Sequence, residues 1–154
     1  MVAHKNRYLV FEIFLDPNRE SGKEDDVVLN QFSIMKAIHD SLLINFGEHG
    51  LASCVGYLQV KYANPITKLC IVRCLRKDYH KVWCAITLIT SIEQCPAFFN
   101  LLDLSGSIRA CKNYALKYDK AKFEQYKLMR GDQLSEVILT LVHNCFGQLK
   151  ILER

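Results

Sequence analysis

Residues 7–15 read RYLVFEIFL, and no other stretch restricts the fold as much. At the two-residue period of a strand, Leu9, Phe11, Ile13 and Leu15 share one face, while Tyr8, Val10 and Phe14 share the other with Glu12. A strand that is apolar on both faces has to be covered on both. The rest of the chain must therefore supply a layer above and a layer below one sheet. A length of 154 residues, 50% of them hydrophobic, suffices for one domain with a sizeable core.

Asp16-Pro17 and Gly22 mark a polar loop after this strand. Asp25 or Asp26 is then placed to cap a helix with the apolar stripe Val28, Phe32, Met35, Ile38, Leu42 and Phe46, which Gly47 and Gly50 should end. A hairpin follows. CVGYLQVKY puts Leu58, Val60 and Tyr62 on one side, and Asn64-Pro65 marks the turn. ITKLCIVRCLR returns with Leu69, Ile71, Arg73 and Leu75 on one face and Cys70, Val72 and Cys74 on the other. Asp78 can cap a second helix through Tyr79, Val82, Trp83, Ile86 and Ile89, and Pro96 precedes a fourth strand, AFFNLLDL. LSGSIRACK (104–112) opens a third helix whose buried side would carry Cys111, Tyr114, Ala115 and Tyr118. Asp119 reads as a fresh N-cap for a short helix through Phe123 and Tyr126. Gly131-Asp132 starts a last helix with an apolar stripe from Leu134 and Val137 to Cys145 and Leu149.

The succession is βαββαβ plus helices, the split-βαβ or ferredoxin-like layout of an α/β (α+β sandwich) fold. Two helices would cover one sheet face and the added C-terminal helices the second. One domain is expected over residues 1–154, with a βαββαβα core over 1–118 and additional helices over 119–154.

The net charge of +4 is unevenly spread. Residues 12–26 are acidic, whereas Lys61 to Lys81 and Arg109 to Arg130 are basic blocks, which predicts one acidic and one basic side. The apolar run at the amino terminus is too short for a membrane span, which predicts a soluble, unsecreted protein. The chain holds 7 cysteines, an odd number with no C-x-x-C pair, mostly inside apolar runs. They read as packed thiols in a reducing compartment, not as a disulfide framework.

Catalytic signatures are weak. His80 and Cys84 share a helix side but lack the further ligands a metal site needs. Cys70 and Cys74 read as core thiols, and His39 and His49 have no evident partner. Glu12 and Asp103 lie on strands that nothing in the sequence brings together. G-x-x-x-x-G-K-[ST], G-x-G-x-x-G and H-E-x-x-H are all absent. No catalytic residue and no metal ligand is assigned.

A βαββαβ domain can present sheet aromatics to RNA bases, but the RNP1 consensus is absent and the sheet faces look covered, which disfavours base stacking. A basic rim remains: Lys5 and Arg7, then Arg73, Arg76 and Lys77, then Arg109 and Lys112. Two cations on the first turns of a helix oppose its dipole unless an anion such as phosphate sits before them. The ordinary alternative is that Ser105 or Ser107 is an N-cap and Arg109 faces water.

KNRYLVFEI, VKYANPITKLCIVRC and CPAFFNLLDLSGSIRACK, in this order and spacing, resemble the Pop-five protein subunit family of ribonuclease P and RNase MRP, in a eukaryotic and plant-like form. The resemblance covers roughly residues 2–125. It implies an RNA-recognition-like α/β fold and an accessory, non-catalytic role in an RNA-based enzyme that removes the 5′ leader of precursor tRNA, with ribosomal RNA processing in the MRP particle. It further implies a nuclear and nucleolar location and Mg2+ required by the RNA but not bound by the protein. The partners implied are the two particle RNAs, precursor tRNA at most peripherally, and the thirty-kilodalton TIM-barrel-like subunit. By match to the family's basic motif positions, Lys5, Arg7, Arg73 and Arg109 would touch RNA. Arg76, Lys77 and Lys112 join them from charge alone. Two alternatives stay open: a protein-assembly module without RNA contact, and a small-molecule-sensing or thiol-dependent ferredoxin-like protein.

Overall fold

The computed structural model describes residues 5–18, 28–130 and 136–153. Its centre is a five-stranded antiparallel sheet ordered β2-β3-β1-β5-β4. The strands are β1 (Asn6–Leu15), β2 (Gln59–Asn64), β3 (Leu69–Leu75), β4 (Ser91–Ile92) and β5 (Cys95–Ser105). The helices are α1 (Gln31–Val55), α2 (Tyr79–Thr87), α3 (Ile108–Arg130) and α4 (Glu136–Lys150). Apart from the two-residue β4, which forms a small hairpin with Cys95 and Pro96, the βαββαβ succession is present.

Both faces of β1 are covered from Tyr8 to Ile13, as its sequence demands, whereas Phe14 is exposed. Leu9, Phe11 and Ile13 pack with Cys70, Val72 and Cys74 of β3 under α1 and α2. Tyr8 and Val10 pack with Leu69 and Ile71 under α3 and α4, through Cys111, Ala115, Cys145 and Leu149. Each large side chain fully buried in these layers contributes about 1.5–3 kcal/mol relative to exposure.

Several elements depart from expectation. The cap proposed at Asp25 or Asp26 falls outside the described residues. The helix that holds the stripe is capped by Asn30, whose side chain accepts from the Ser33 N–H while Ser33 reaches back to the Asn30 N–H. Ile34, Ile38 and Leu42 form its buried face, whereas Phe32 is 77% exposed. Gly47 (φ 71°) kinks α1 without ending it. Only glycine accepts that backbone cheaply, and the helix then resumes to Val55. On α2, Val82, Ala85 and Ile86 face the sheet, and Trp83, expected in the core, is exposed. Asp78 stands at the N-cap position, but its side chain makes no capping bond.

Tyr62 lies on the opposite face from Leu58 and Val60, because the β2–β3 register slips between Val60 and Tyr62. A bulge inserts one residue and inverts the alternation beyond it. A second slip, opposite Val10 and Phe11, leaves Leu102 as an extra residue in β5 between Leu101 and Asp103, the partners of Phe11 and Val10.

The expected helix start at Asp119 is absent. α3 runs unbroken through it, and Asp119 is fully buried. Its carboxylate accepts from the Tyr62 hydroxyl, the Thr67 hydroxyl (2.6 Å) and the Asn64 amide (3.3 Å). Asn64 Oδ1 in turn accepts the Ile66 and Thr67 N–H groups, so one carboxylate ties α3 to the β2–β3 turn. The proposed last-helix start at Gly131-Asp132 lies outside the described residues. α4 buries Val142, Cys145 and Leu149 and leaves Val137 exposed.

Candidate nucleic-acid interface

The antiparallel pairing of β1 with β3 gathers the basic residues at one end of the sheet. Asn6 faces Leu75, Arg7 faces Cys74, and Tyr8 faces Arg73 on one side and Ser105 on the other. The Arg76 N–H donates to the Lys5 carbonyl at 2.8 Å. Lys5, Arg7, Arg73, Arg76 and Lys77 thereby share the sheet end at which the Ser105-Gly106-Ser107 turn opens α3, with Arg73 Nε turned to the Tyr57 carbonyl at 3.4 Å. Arg109 lies exposed on the first turn, and Lys112 follows three residues on, half-buried. Among the described residues, none of these cations is in an ion pair.

The turn is built for close approach. Ser105 Oγ accepts the Ser107 N–H at 3.1 Å, and Ser107 Oγ accepts the Ala110 N–H at 3.4 Å, so Ser107 does cap the helix. Capping and a charged helix start therefore coexist. A methyl group at Gly106 would come within 3.0 Å of Arg7 Nη1, which shows the guanidinium lying directly on this turn. Arg7 Nη1 also donates to the Asn6 carbonyl at 2.9 Å. The alternation along the strands puts Arg7 and Arg73 on opposite faces, so the basic groups straddle the sheet end.

Lys61 belongs with this group and was not singled out from sequence. Burial, then the positive charge of Arg73, pulls its ammonium below the usual lysine range, with Glu153 opposing. The signal was its place on β2, near the residues that face Arg73, which only the register reveals.

Of the other candidates, Glu12 and Asp103 share a neighbour. His80 and Cys84 sit with Trp83 and Leu88 on the outer side of α2. Glu12 is paired with Lys122 at 3.4 Å, and the sheet brings it to the same face as Asp103: after burial, both carboxylates push the Tyr114 hydroxyl up, and Asp103 also raises the Cys111 thiol. Burial pushes the Cys70, Cys74 and Cys111 thiols up to about 12, which makes them poor nucleophiles. Among the described residues, no group of three or more His, Cys, Asp or Glu could hold a metal ion, and no helix is long and apolar enough to cross a membrane.

The sequence profile of the Rpp14/Pop5 family matches residues 7–116, which span β1 through the first turns of α3. The chain belongs to the Rpp14/Pop5 family. It is 51% identical over 154 residues to the probable ribonuclease P/MRP protein subunit POP5 of Arabidopsis thaliana, covering 99% of each chain. It is 33% identical over 124 residues to the ribonuclease P/MRP protein subunit POP5 of Homo sapiens, covering 78% of this chain and 73% of the human one. A chain in the cryo-EM structure of yeast ribonuclease MRP shares the fold, with a TM-score of 0.53 and 14% identity over 80% of this chain and 98% of that one. The Rpp14/Pop5 match includes Arg7, Arg73, Arg76, Lys77, Arg109 and Lys112 but stops short of Lys5 and α4. The Arabidopsis relative aligns across those parts as well.

Proposed function

We propose that this chain is a non-catalytic, RNA-binding protein subunit of a ribonuclease P and RNase MRP particle, supporting 5′-leader removal from precursor tRNA and the processing of ribosomal RNA. The names of its Rpp14/Pop5 relatives support the particle. The observation that carries the RNA contact is the gathering of Arg7, Arg73, Arg76 and Arg109 at one end of the sheet, with the Arg7 guanidinium lying on the Gly106 turn. Packing phosphates into a compact catalytic RNA is electrostatically unfavourable. Fixed guanidinium and ammonium groups lower that repulsion, and the free N–H groups of a helix start add donors. Such contacts fix the position of the backbone without reading sequence, so the protein stabilises the RNA's shape. Divalent metal ions belong to the RNA in this scheme, and this chain contributes charge only. The thirty-kilodalton TIM-barrel-like subunit is the proposed protein neighbour, and the nucleus and nucleolus the proposed location.

Titrating the full chain against the particle RNA over a range of salt tests the site. Arg109→Ala should lower affinity and reduce the log–log salt slope by about one unit. An unchanged slope and affinity remove Arg109 from the interface. The reading as an assembly module without RNA contact draws on the exposed Trp83 of α2 and Leu88 just beyond its end, and salt-insensitive or absent RNA binding would favour it.

A further inference from the structure

Phe14 and Phe98 belong to neither apolar layer. They are register partners on β1 and β5, and their rings stack with centroids 4.6 Å apart and planes 15° from parallel. Phe14 is 39% exposed and Phe98 57%. The alternation Tyr8, Val10, Glu12, Phe14 puts the pair on the face that α3 and α4 cover, yet beyond the cluster beneath those helices. Asn100, the next β5 residue on that face, is exposed too. Here the sheet is open, and the covering that disfavoured base stacking is incomplete.

Two cations, Lys122 and Arg130, lie close by. Glu12 holds Lys122 beside Phe14, and the lysine side chain remains 39% exposed. Tyr126 lines the same groove, with the Arg130 guanidinium 5.4 Å from its ring centre. Of the nearby carboxylates, Glu12 pairs with Lys122, whose exposed side is left to bridge to a phosphate, and Asp16 Oδ1 accepts the Asn18 N–H at 2.9 Å. Flat aromatic faces flanked by cations suit a nucleobase and its phosphate. Stacking on such faces tolerates any base.

We propose that the Phe14–Phe98 stack is a platform for an unpaired base of single-stranded RNA, with Lys122 meeting the adjoining phosphate. Phe14 lies six residue steps along β1 from Tyr8 at the basic end, about 20 Å at the rise of a strand. The two sites would grip one RNA at separated points, one through phosphates and one through a base. This inference rests on the RNA-binding reading above.

The test compares the full chain's affinity for an unstructured RNA of about ten nucleotides, for the same backbone made abasic, and for the structured particle RNA. The base-bearing strand should bind about tenfold tighter than the abasic one. Phe98→Ala and Phe98→Leu should abolish that preference, and Phe98→Trp should keep it. Since Phe98 is largely exposed, these variants should melt with the wild type. Equal binding of the two strands by the wild type, or full preference in Phe98→Leu, overturns the platform. If the structured RNA still binds with an Arg109-dependent salt slope, only the platform falls. If no RNA binds, the RNA-binding reading falls with it. Loss of a protein neighbour from the purified particle on Phe98→Ala, with base preference unchanged, would assign the stack to a protein contact and also overturn the proposal.

Discussion

Asp119 is buried in the middle of a helix, where an ionised carboxylate is tolerated only if its oxygens are satisfied. Tyr62, Asn64 and Thr67 satisfy them, and each belongs to the β2–β3 hairpin. Asp119→Ala would strip all three donors of their acceptor and should cost about 3 kcal/mol in chemical denaturation, against about 1 kcal/mol for Tyr62→Phe. Burial raises the Asp119 carboxyl above its ordinary 3.8, outweighing the hydrogen bonds that lower it. The folded protein therefore holds this proton more tightly than the unfolded chain does. The resulting stabilisation is complete below about pH 3.8 and is lost as pH rises through the folded value. In paired denaturation curves, wild type should gain on Asp119→Asn as the pH falls from about 7 to about 4. A flat or reversed difference would mean that the hydrogen bonds keep the carboxylate charged.

Among the elements, α4 is held by Val142, Cys145 and Leu149 against the second sheet face. Leu149→Ala should therefore cost about 2–4 kcal/mol, whereas Val137→Ala on the exposed side should stay within about 0.5 kcal/mol. Thermal melts of the two variants would separate them, and equal losses would refute the docking of α4. The α4 stripe and the two-faced β1 were legible in sequence because each follows a single period over a long run. The place of Tyr62 was not. A bulge is a mismatch in count between two strands, and neither strand's own pattern carries it. Asp119 after an apolar run looks like a helix cap to any local rule, and its partners Thr67 and Tyr62 lie 52 and 57 residues away. The basic rim was visible as charge. The seat of Arg7 on Gly106 and the approach of Lys61 to Arg73 were not, since both depend on register.

For the whole molecule, the two apolar layers account for the cysteines. All but Cys84 are buried, so brief alkylation of the native protein should give one adduct by intact mass, with the rest reacting only after unfolding. Several rapid native adducts would show that the layers open easily, and would revive a thiol-dependent role. The two layers also differ in when they can form. The first draws on residues up to Phe99, but the second needs α3 and α4, from the last third of the chain. A ribosome adding about 5–20 residues per second leaves an interval of seconds in which the sheet can assemble with Tyr8, Val10, Tyr62 and Ile71 bare on one side. During synthesis this chain is a half-roofed sheet, open to chaperones and to mispairing until its final helix closes it.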